Sequence, residues 1–163
     1  MKRAAKKGFT LVEILIVVII LGILAAIVIP QFTQASTEAK VSSLRTNLQT
    51  IRSQLLLYKM QHDGEAYPTD FVDQMTKYTN AAGTHADAPD PDTGIILGPY
   101  LQSIPVNPVT NKNTVVEVTG ATTDFTETEG GGWWFNSTTG VFKADVTTSA
   151  IHQTADGTAY NAL

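Results

Sequence analysis

The distribution of apolar residues divides the chain into two parts of different character. No charged residue lies between Glu13 and Glu38, and the stretch from Phe9 to Ile29 is almost wholly apolar. This stretch has 21 residues, which matches the ~20 that an α-helix needs to cross a hydrocarbon core of ~30 Å. The pattern therefore predicts a transmembrane helix over residues 9–30.

After Pro30 the apolar spacing becomes that of an amphipathic helix. Apolar residues recur at steps of three and four, with polar residues between them. We therefore expect one long helix from Phe9 to about His62, bent or broken at Pro30, whose amphipathic half over residues 31–62 packs on a small sheet. The apolar stripe of this half consists of Val41, Leu44, Leu48, Ile51, Leu55 and Tyr58.

Residues 63–163 are predicted to form a globular α+β head. Gly64 ends the long helix, and a short second helix follows with Thr69 or Asp70 as its N-cap. Residues 79–94 are predicted to be a polar loop. The expected fold is a long N-terminal helix packed on a small antiparallel β-sheet whose last two strands form a hairpin. The predicted strands are Thr114–Val118, Gly132–Asn136 and Val141–Asp145.

Two groups of apolar residues are candidates for contacts between molecules. Leu56 and Leu57 fall off the apolar stripe, so they either widen the core face of the helix or face a neighbouring molecule. In the strand over Gly132–Asn136, Trp133 and Trp134 point to opposite faces. We expect one tryptophan to pack on the long helix and the other to be partly exposed or in contact with another molecule.

The basic residues are concentrated at the N-terminus. The formal charge is −4, but without the leader over residues 1–8 the chain keeps 7 basic against 15 acidic residues. A chain with this excess of acidic residues is expected to bind nucleic acid poorly, because neutralisation of the phosphates needs clustered Lys and Arg. The positive-inside rule places the leader in the cytoplasm, so the remainder is exported. The leader cations are Lys2, Arg3, Lys6 and Lys7.

No residue pattern in the chain is typical of an enzyme. His62, His85 and His152 lie in unrelated segments without the H-E-x-x-H spacing, and there is no G-x-S-x-G elbow or glycine-rich phosphate loop. The absence of cysteine excludes a disulfide framework, a thiolate zinc site and a cysteine nucleophile. We therefore predict a protein without catalytic residues or a resident metal.

One acidic segment is a candidate for calcium binding. Asp87, Asp90 and Asp92 lie close together in the sequence, and calcium takes six to eight oxygen ligands. Their spacing matches no EF-hand loop, and the prolines at positions 89 and 91 restrict how the side chains converge. A solvated acidic loop is therefore the favoured interpretation, and no cofactor is expected.

The N-terminal segment resembles the processing site and helix of type IV pilins and type II secretion pseudopilins. The resemblance rests on Lys6-Lys7-Gly8, then Phe9-Thr10-Leu11-Val12-Glu13, then the apolar run ending at Pro30. In a secretory signal the cleavage site follows the apolar stretch, whereas here the Gly8–Phe9 junction precedes it. The resemblance implies cleavage between Gly8 and Phe9 by a prepilin peptidase, followed by N-methylation of Phe9. The alternative is an uncut signal anchor in which Gly8 is only a flexible residue.

Glu13 is the most unusual residue of the anchor. An ionised carboxylate among lipid tails costs roughly 2.5–3.5 kcal/mol, so a role other than anchoring should explain it. Near the start of a helix it can snorkel to the interface and interact favourably with the helix dipole. In a filament it could pair with the Phe9 ammonium of a neighbour and set the register of assembly, and the resemblance implies that role.

Gly22 and Pro30 weaken the predicted helix. Proline removes one backbone hydrogen bond, and glycine lowers helix propensity by ~1 kcal/mol. A slightly kinked membrane helix would account for both residues. The resemblance implies more, namely that residues 22–30 lose helical structure when subunits leave the membrane and pack.

The resemblance implies a structural subunit of a homopolymeric filament. Its implied partners are a prepilin peptidase, an inner-membrane platform protein, an assembly ATPase and minor pseudopilins. The chain would lie in the bacterial inner membrane, with a cytoplasmic N-terminus and an extracytoplasmic head, before it enters the filament. No nucleic-acid partner is expected.

Within this family, the favoured prediction is the major (G-type) pseudopilin of a type II secretion-like system. The absence of cysteine and the segment over Gly98–Pro105 resemble that type, although residues 106–111 depart from its usual sequence. The alternative is a pilin of a type IV pilus used for adhesion, motility or DNA uptake. A further alternative, from another class, is a monomeric, signal-anchored, exported binding protein.

Overall fold

The predicted long helix is present as one element. A computed structural model of the chain describes residues 8–121 and 131–145 and places helix α1 over Leu11–Gln61. Pro30 lies inside α1, so a break at this residue is wrong, whereas a bend there stays a prediction. A proline removes only one hydrogen bond of the ladder, and the turns on either side can continue the helix. The leader before Gly8 and the tail after residue 145 lie outside the described residues.

The chain divides into two compact units, with the boundary between Thr37 and Glu38. In the first unit every large apolar side chain of residues 9–32 is at least 51% exposed. The N-terminal part of α1 is also long and apolar enough to cross a membrane. Such a surface is unfavourable in water and needs lipid or protein around it.

The apolar stripe of α1 forms one side of the core of the second unit. All six stripe residues, from Val41 to Tyr58, are buried, as the spacing predicted. Leu56 and Leu57 are 57% and 41% exposed, so the interpretation that they widen the core face is wrong. They lie on the helix side that carries no core residue.

A short second helix, α2, extends over Phe71–Thr76 after a 3-10 turn at Asp63–Glu65. Asp70 is its N-cap, and the Asp70 side chain accepts a hydrogen bond from the Asp73 N–H. The Glu117 carboxylate accepts a hydrogen bond from the Phe71 N–H, also at the start of α2. Burial raises the pKa of Glu117. These two acceptors satisfy donors that the first turn of any helix leaves unpaired.

The strands form two small sheets. Strand β4 pairs antiparallel with β5, as predicted, but β3 pairs parallel with β4. The three-stranded sheet is therefore mixed rather than antiparallel. Parallel neighbours need a connection of a dozen or more residues, and residues 119–132 provide it. The strands are β1 (Tyr78–Thr79), β2 (His85–Ala86), β3 (Val115–Val118), β4 (Trp133–Asn136) and β5 (Phe142–Ala144).

The antiparallel pair of β1 and β2 lies in the region predicted to be a polar loop. That prediction is wrong at His85–Ala86 and at Thr79. Each of these strands has two residues, which is too short for an alternating pattern to appear in the sequence.

Both tryptophans of β4 are buried. Trp133 belongs to the main core, where its ring lies 5.5 Å from that of Phe142 and its Nε1–H donates to the Pro105 carbonyl. Trp134 faces the other side of the sheet but is only 1% exposed. The prediction that one tryptophan is exposed or contacts another molecule is therefore wrong. β4 is the central strand, and both of its faces are covered.

A pair of leucines on α1 tests this description of the core. Leu48→Ala should lower the free energy of unfolding by about 2–5 kcal/mol, because it leaves a cavity in the packed core. Leu56→Ala should change it by less than about 0.5 kcal/mol, since that side chain is mostly exposed. Denaturant unfolding of the detergent-solubilised chain, followed by tryptophan fluorescence, measures both. Equal effects of the two substitutions would contradict the assignment of the buried face.

Candidate functional site at the helix N-terminus

Thr10 and Glu13 form a closed hydrogen-bonded pair at the start of α1. Thr10 directly precedes the first helical residue, and its Oγ1 accepts a hydrogen bond from the Glu13 N–H at 3.2 Å. In turn, Glu13 Oε2 accepts hydrogen bonds from the Thr10 N–H at 2.8 Å and from the Thr10 hydroxyl at 2.7 Å. This arrangement is a capping box, in which the N-cap and N3 residues satisfy each other's backbone donors.

The capping box gives Glu13 a partner that the sequence analysis missed. The spacing Thr-x-x-Glu before an apolar run is a known signal for this motif, and here it is Thr10-Leu11-Val12-Glu13. The carboxylate also lies at the positive end of the helix dipole. Glu13 therefore has a local structural role, whatever further role it has in an assembly.

Gly8 and Phe9 lie outside the helix and are exposed. Both residues precede α1, and a side chain at Gly8 would meet no atom within 4 Å. An exposed, non-helical peptide bond is one that a protease can bind in extended form. Phe9 is next to the capping box, but the bonds to the Glu13 carboxylate come from Thr10.

Gly22 and Pro30 are both helical in the structure. Neither residue interrupts α1, and a side chain at Gly22 would meet nothing within 4 Å. Near Pro30 the Thr33 hydroxyl donates to the Ile29 carbonyl at 3.1 Å. The role of these residues as weak points of the helix stays a prediction.

The acidic residues of 87–92 are used within their own loop. Asp90 accepts hydrogen bonds from the Asp92 N–H and from the Thr93 hydroxyl. Asp87 lies 3.3 Å from the Lys77 ammonium. Within residues 8–121 and 131–145, the carboxylates of this loop do not converge on a common point.

Another group, Asp70, Asp73 and His85, brings potential ligand atoms within 4.8 Å of one another. The Lys77 ammonium lies 3.0 Å from Asp73 Oδ2, and this hydrogen bond is the main reason that the pKa of Asp73 is lowered. Asp73 is thus already paired with a cation, and Asp70 serves as a helix cap. We assign no metal to this group.

Comparisons with known proteins agree on the N-terminal segment. A family described as "Prokaryotic N-terminal methylation motif" matches residues 3–29. Type II secretion system core protein G of Pseudomonas aeruginosa is 37% identical over 108 residues, which cover 66% of this chain and 71% of that protein. The core protein G of Vibrio cholerae is 34% identical over 114 residues, with 66% and 69% covered.

Pilus proteins also match. The fimbrial protein of Moraxella nonliquefaciens is 34% identical over 105 residues, which cover 60% of this chain and 66% of that protein. The type IV major pilin protein PilA of Myxococcus xanthus is 51% identical over 45 residues, which cover 28% of this chain and 20% of that protein. No solved structure matches the chain.

The fold and the N-terminal segment define a filament subunit with an apolar anchoring helix and an α+β head. The chain belongs to the family of type IV pilins and type II secretion pseudopilins, and it is similar to the G type. This family consists of structural subunits and not of enzymes. Its members are anchored in a membrane and assemble into an extracytoplasmic homopolymer, and this chain is a pilin-like filament subunit.

The capping box predicts a local effect of Thr10→Ala. Loss of the cap should destabilise the first turn of α1 by about 1 kcal/mol, which is about fivefold faster amide exchange at Glu13 and Ile14, whose N–H groups bond to the Thr10 hydroxyl and carbonyl. Thr46→Ala is the matched control, because the Thr46 hydroxyl donates to the Ser42 carbonyl inside α1. Hydrogen exchange of the detergent-solubilised chain measures both variants. Unchanged exchange in Thr10→Ala would show that the capping box does not hold the helix start.

Proposed function

We propose that this chain is the major pseudopilin of a type II protein secretion-like system. The observation that carries the filament part is the exposed apolar surface of residues 9–32, which has no covering partner within its own unit. The long matches to core protein G support the secretion system. The absence of cysteine and the segment over Gly98–Pro105 point the same way.

The proposed first step is removal of the leader, residues 1–8. A prepilin peptidase cleaves between Gly8 and Phe9, and the new Phe9 amine is methylated. The exposed, non-helical position of this bond supports the step, as does the match to the methylation motif. The basic leader keeps the N-terminus in the cytoplasm while the head lies on the extracytoplasmic side.

The proposed second step is pairing of Glu13 with the Phe9 ammonium of a neighbouring subunit. Both hydrogen bonds from Thr10 end on Glu13 Oε2. Among the described residues no hydrogen bond ends on Oε1, so this oxygen can accept the ammonium without opening the capping box. Two opposite charges that are buried together each offset the other's desolvation, and loss of one partner of such a pair costs about 3–5 kcal/mol. The pair would therefore set the axial register of the filament.

Further parts of the proposal concern α1 and the assembly machinery. Residues 22–30, which contain Gly22 and end at Pro30, lose helical structure when the subunit leaves the membrane. An inner-membrane platform protein and an assembly ATPase drive this extraction, and minor pseudopilins join the same filament. The predicted boundaries at residues 8, 30 and 62 would then separate the leader, the filament-core helix, the amphipathic helix and the head.

A type IV pilus pilin is the second candidate. A fimbrial protein that is 34% identical over 105 residues supports it, as does a major pilin that is 51% identical over 45 residues. A monomeric signal-anchored binding protein would need Glu13 only for the capping box and would need no cleavage at Gly8.

Substitutions of Glu13 in the native host test the proposed pairing. Glu13→Ala and Glu13→Gln should both insert in the membrane yet lower the yield of sheared filaments by about 100-fold or more, as loss of a buried charge partner predicts. Glu13→Gln keeps an oxygen that can accept the Thr10 hydrogen bonds, so its failure would separate charge pairing from helix capping. Glu38→Ala, which removes an exposed carboxylate from α1, is the matched control. Normal filaments from Glu13→Ala would contradict the proposed pairing of Glu13 with the Phe9 ammonium.

A further inference from the structure

A small apolar surface on α1 is left exposed by the fold of the head. It consists of Leu56, Leu57 and Met60, and we call it the α1 patch; these side chains are 57%, 41% and 80% exposed. Leu56 and Met60 are four residues apart and therefore neighbours on one helix face. The apolar stripe on the opposite face of α1 is buried in the core. The α1 patch therefore has no function within the head and is suited to an intermolecular contact.

A subunit of an open filament needs two different surfaces that fit each other. A contact of one patch with its own copy closes a dimer, whereas a head-to-tail contact that does not close continues as a helical filament. Because this chain is a filament subunit, the surface that fits the α1 patch must lie elsewhere on the head. The other large apolar residues that the described part of the head exposes are Val72, Ile96 and Val106.

Ile96 belongs to a loop that the structure holds in one shape. The backbones of Asp90 and Ile95 exchange two hydrogen bonds, of 2.8 and 2.9 Å. The Asp90 side chain fixes Asp92 and Thr93 within the same turn. Ile96 follows directly and is 59% exposed. A loop already ordered in its binding shape loses little entropy in a contact. We call Asp87, Asp90, Asp92 and Ile96 the acidic tip.

The charges around the two surfaces are complementary. The part of α1 within the head carries four basic residues against Glu38 alone. Arg45, which is exposed, precedes Leu56 by eleven residues, and about three helical turns bring it to the same face as the α1 patch. An acidic partner surface is therefore favoured. A contact of the α1 patch with the same patch of a second copy would bring like charges together, which is unfavourable. The four residues are Lys40, Arg45, Arg52 and Lys59. Arg52 donates to the Phe142 carbonyl and Lys59 lies over the Tyr67 ring, whereas Lys40 and Arg45 are exposed.

We propose that the α1 patch of one subunit packs against the acidic tip of a second copy in the filament. Ile96 would contact Leu56 and Met60. The carboxylates of the acidic tip would face Arg45 of α1. The proposal rests on the proposed filament function and adds to it the pair of head surfaces that meet.

Cysteine pairs give a direct test, because the chain has no cysteine of its own. Filaments of the variant Met60→Cys/Ile96→Cys, sheared from the native host and oxidised, should yield a ladder of disulfide-linked multimers. Each single variant should give no ladder. Met60→Cys/Asn113→Cys is the matched control, since Asn113 is exposed but lies outside the acidic tip; it should also give none. Intact filaments of the first pair without a ladder would overturn the proposal.

Charge reversal tests the electrostatic part of the same contact. Arg45→Glu and Asp92→Lys should each lower the filament yield about tenfold, and their combination should restore most of it, as expected for paired charges. Both residues are exposed, so thermal unfolding of the solubilised variants should match the wild type. Absence of rescue in well-folded variants would contradict the pairing. Wild-type filaments are the reference: if the wild type forms none, the proposed function fails, and if only the variants depart from expectation, this inference alone fails.

Discussion

The structure depends on an apolar helical surface that is exposed among the described residues. Residues 9–32 expose every large apolar side chain, and each Å² of such surface costs roughly 25 cal/mol in water. The molecule therefore needs lipid first and other subunits afterwards. The apolar side chains are about equally well covered by lipid and by other subunits. The hydrophobic effect alone therefore does not favour the filament over the membrane. The polar group at Glu13 is the feature that can make this choice.

Under the proposed function, Glu13 combines two tasks that use different atoms of one carboxylate. Its Oε2 closes the capping box with Thr10, which satisfies helix donors that would otherwise be unpaired at the membrane surface. Under the proposed function its Oε1 accepts the ammonium of a neighbour. The capping box also holds the side chain in place before assembly, which lowers the entropy lost when the pair forms.

Sequence reasoning succeeded where one strong periodicity was present and failed where contacts were distant. The stripe from Val41 to Tyr58 and the β4–β5 hairpin were predicted, because local spacing and a short turn determine them. The parallel pairing of β3 with β4 and the burial of Trp134 depend on segments far apart in the chain. At the site, the resemblance led to the predictions for Gly8, Phe9 and Glu13. The capping box was missed, although the spacing Thr10-x-x-Glu13 is a sequence signal for it.

The most direct test of the account is the N-terminus of the protein within filaments. Intact mass and N-terminal sequencing of sheared surface material from the native host would be measured. The account predicts a chain that begins at Phe9, carries one additional methyl group and is recovered in polymers. A chain that still begins at Met1 and stays in the membrane fraction would contradict the account and favour an uncut signal anchor.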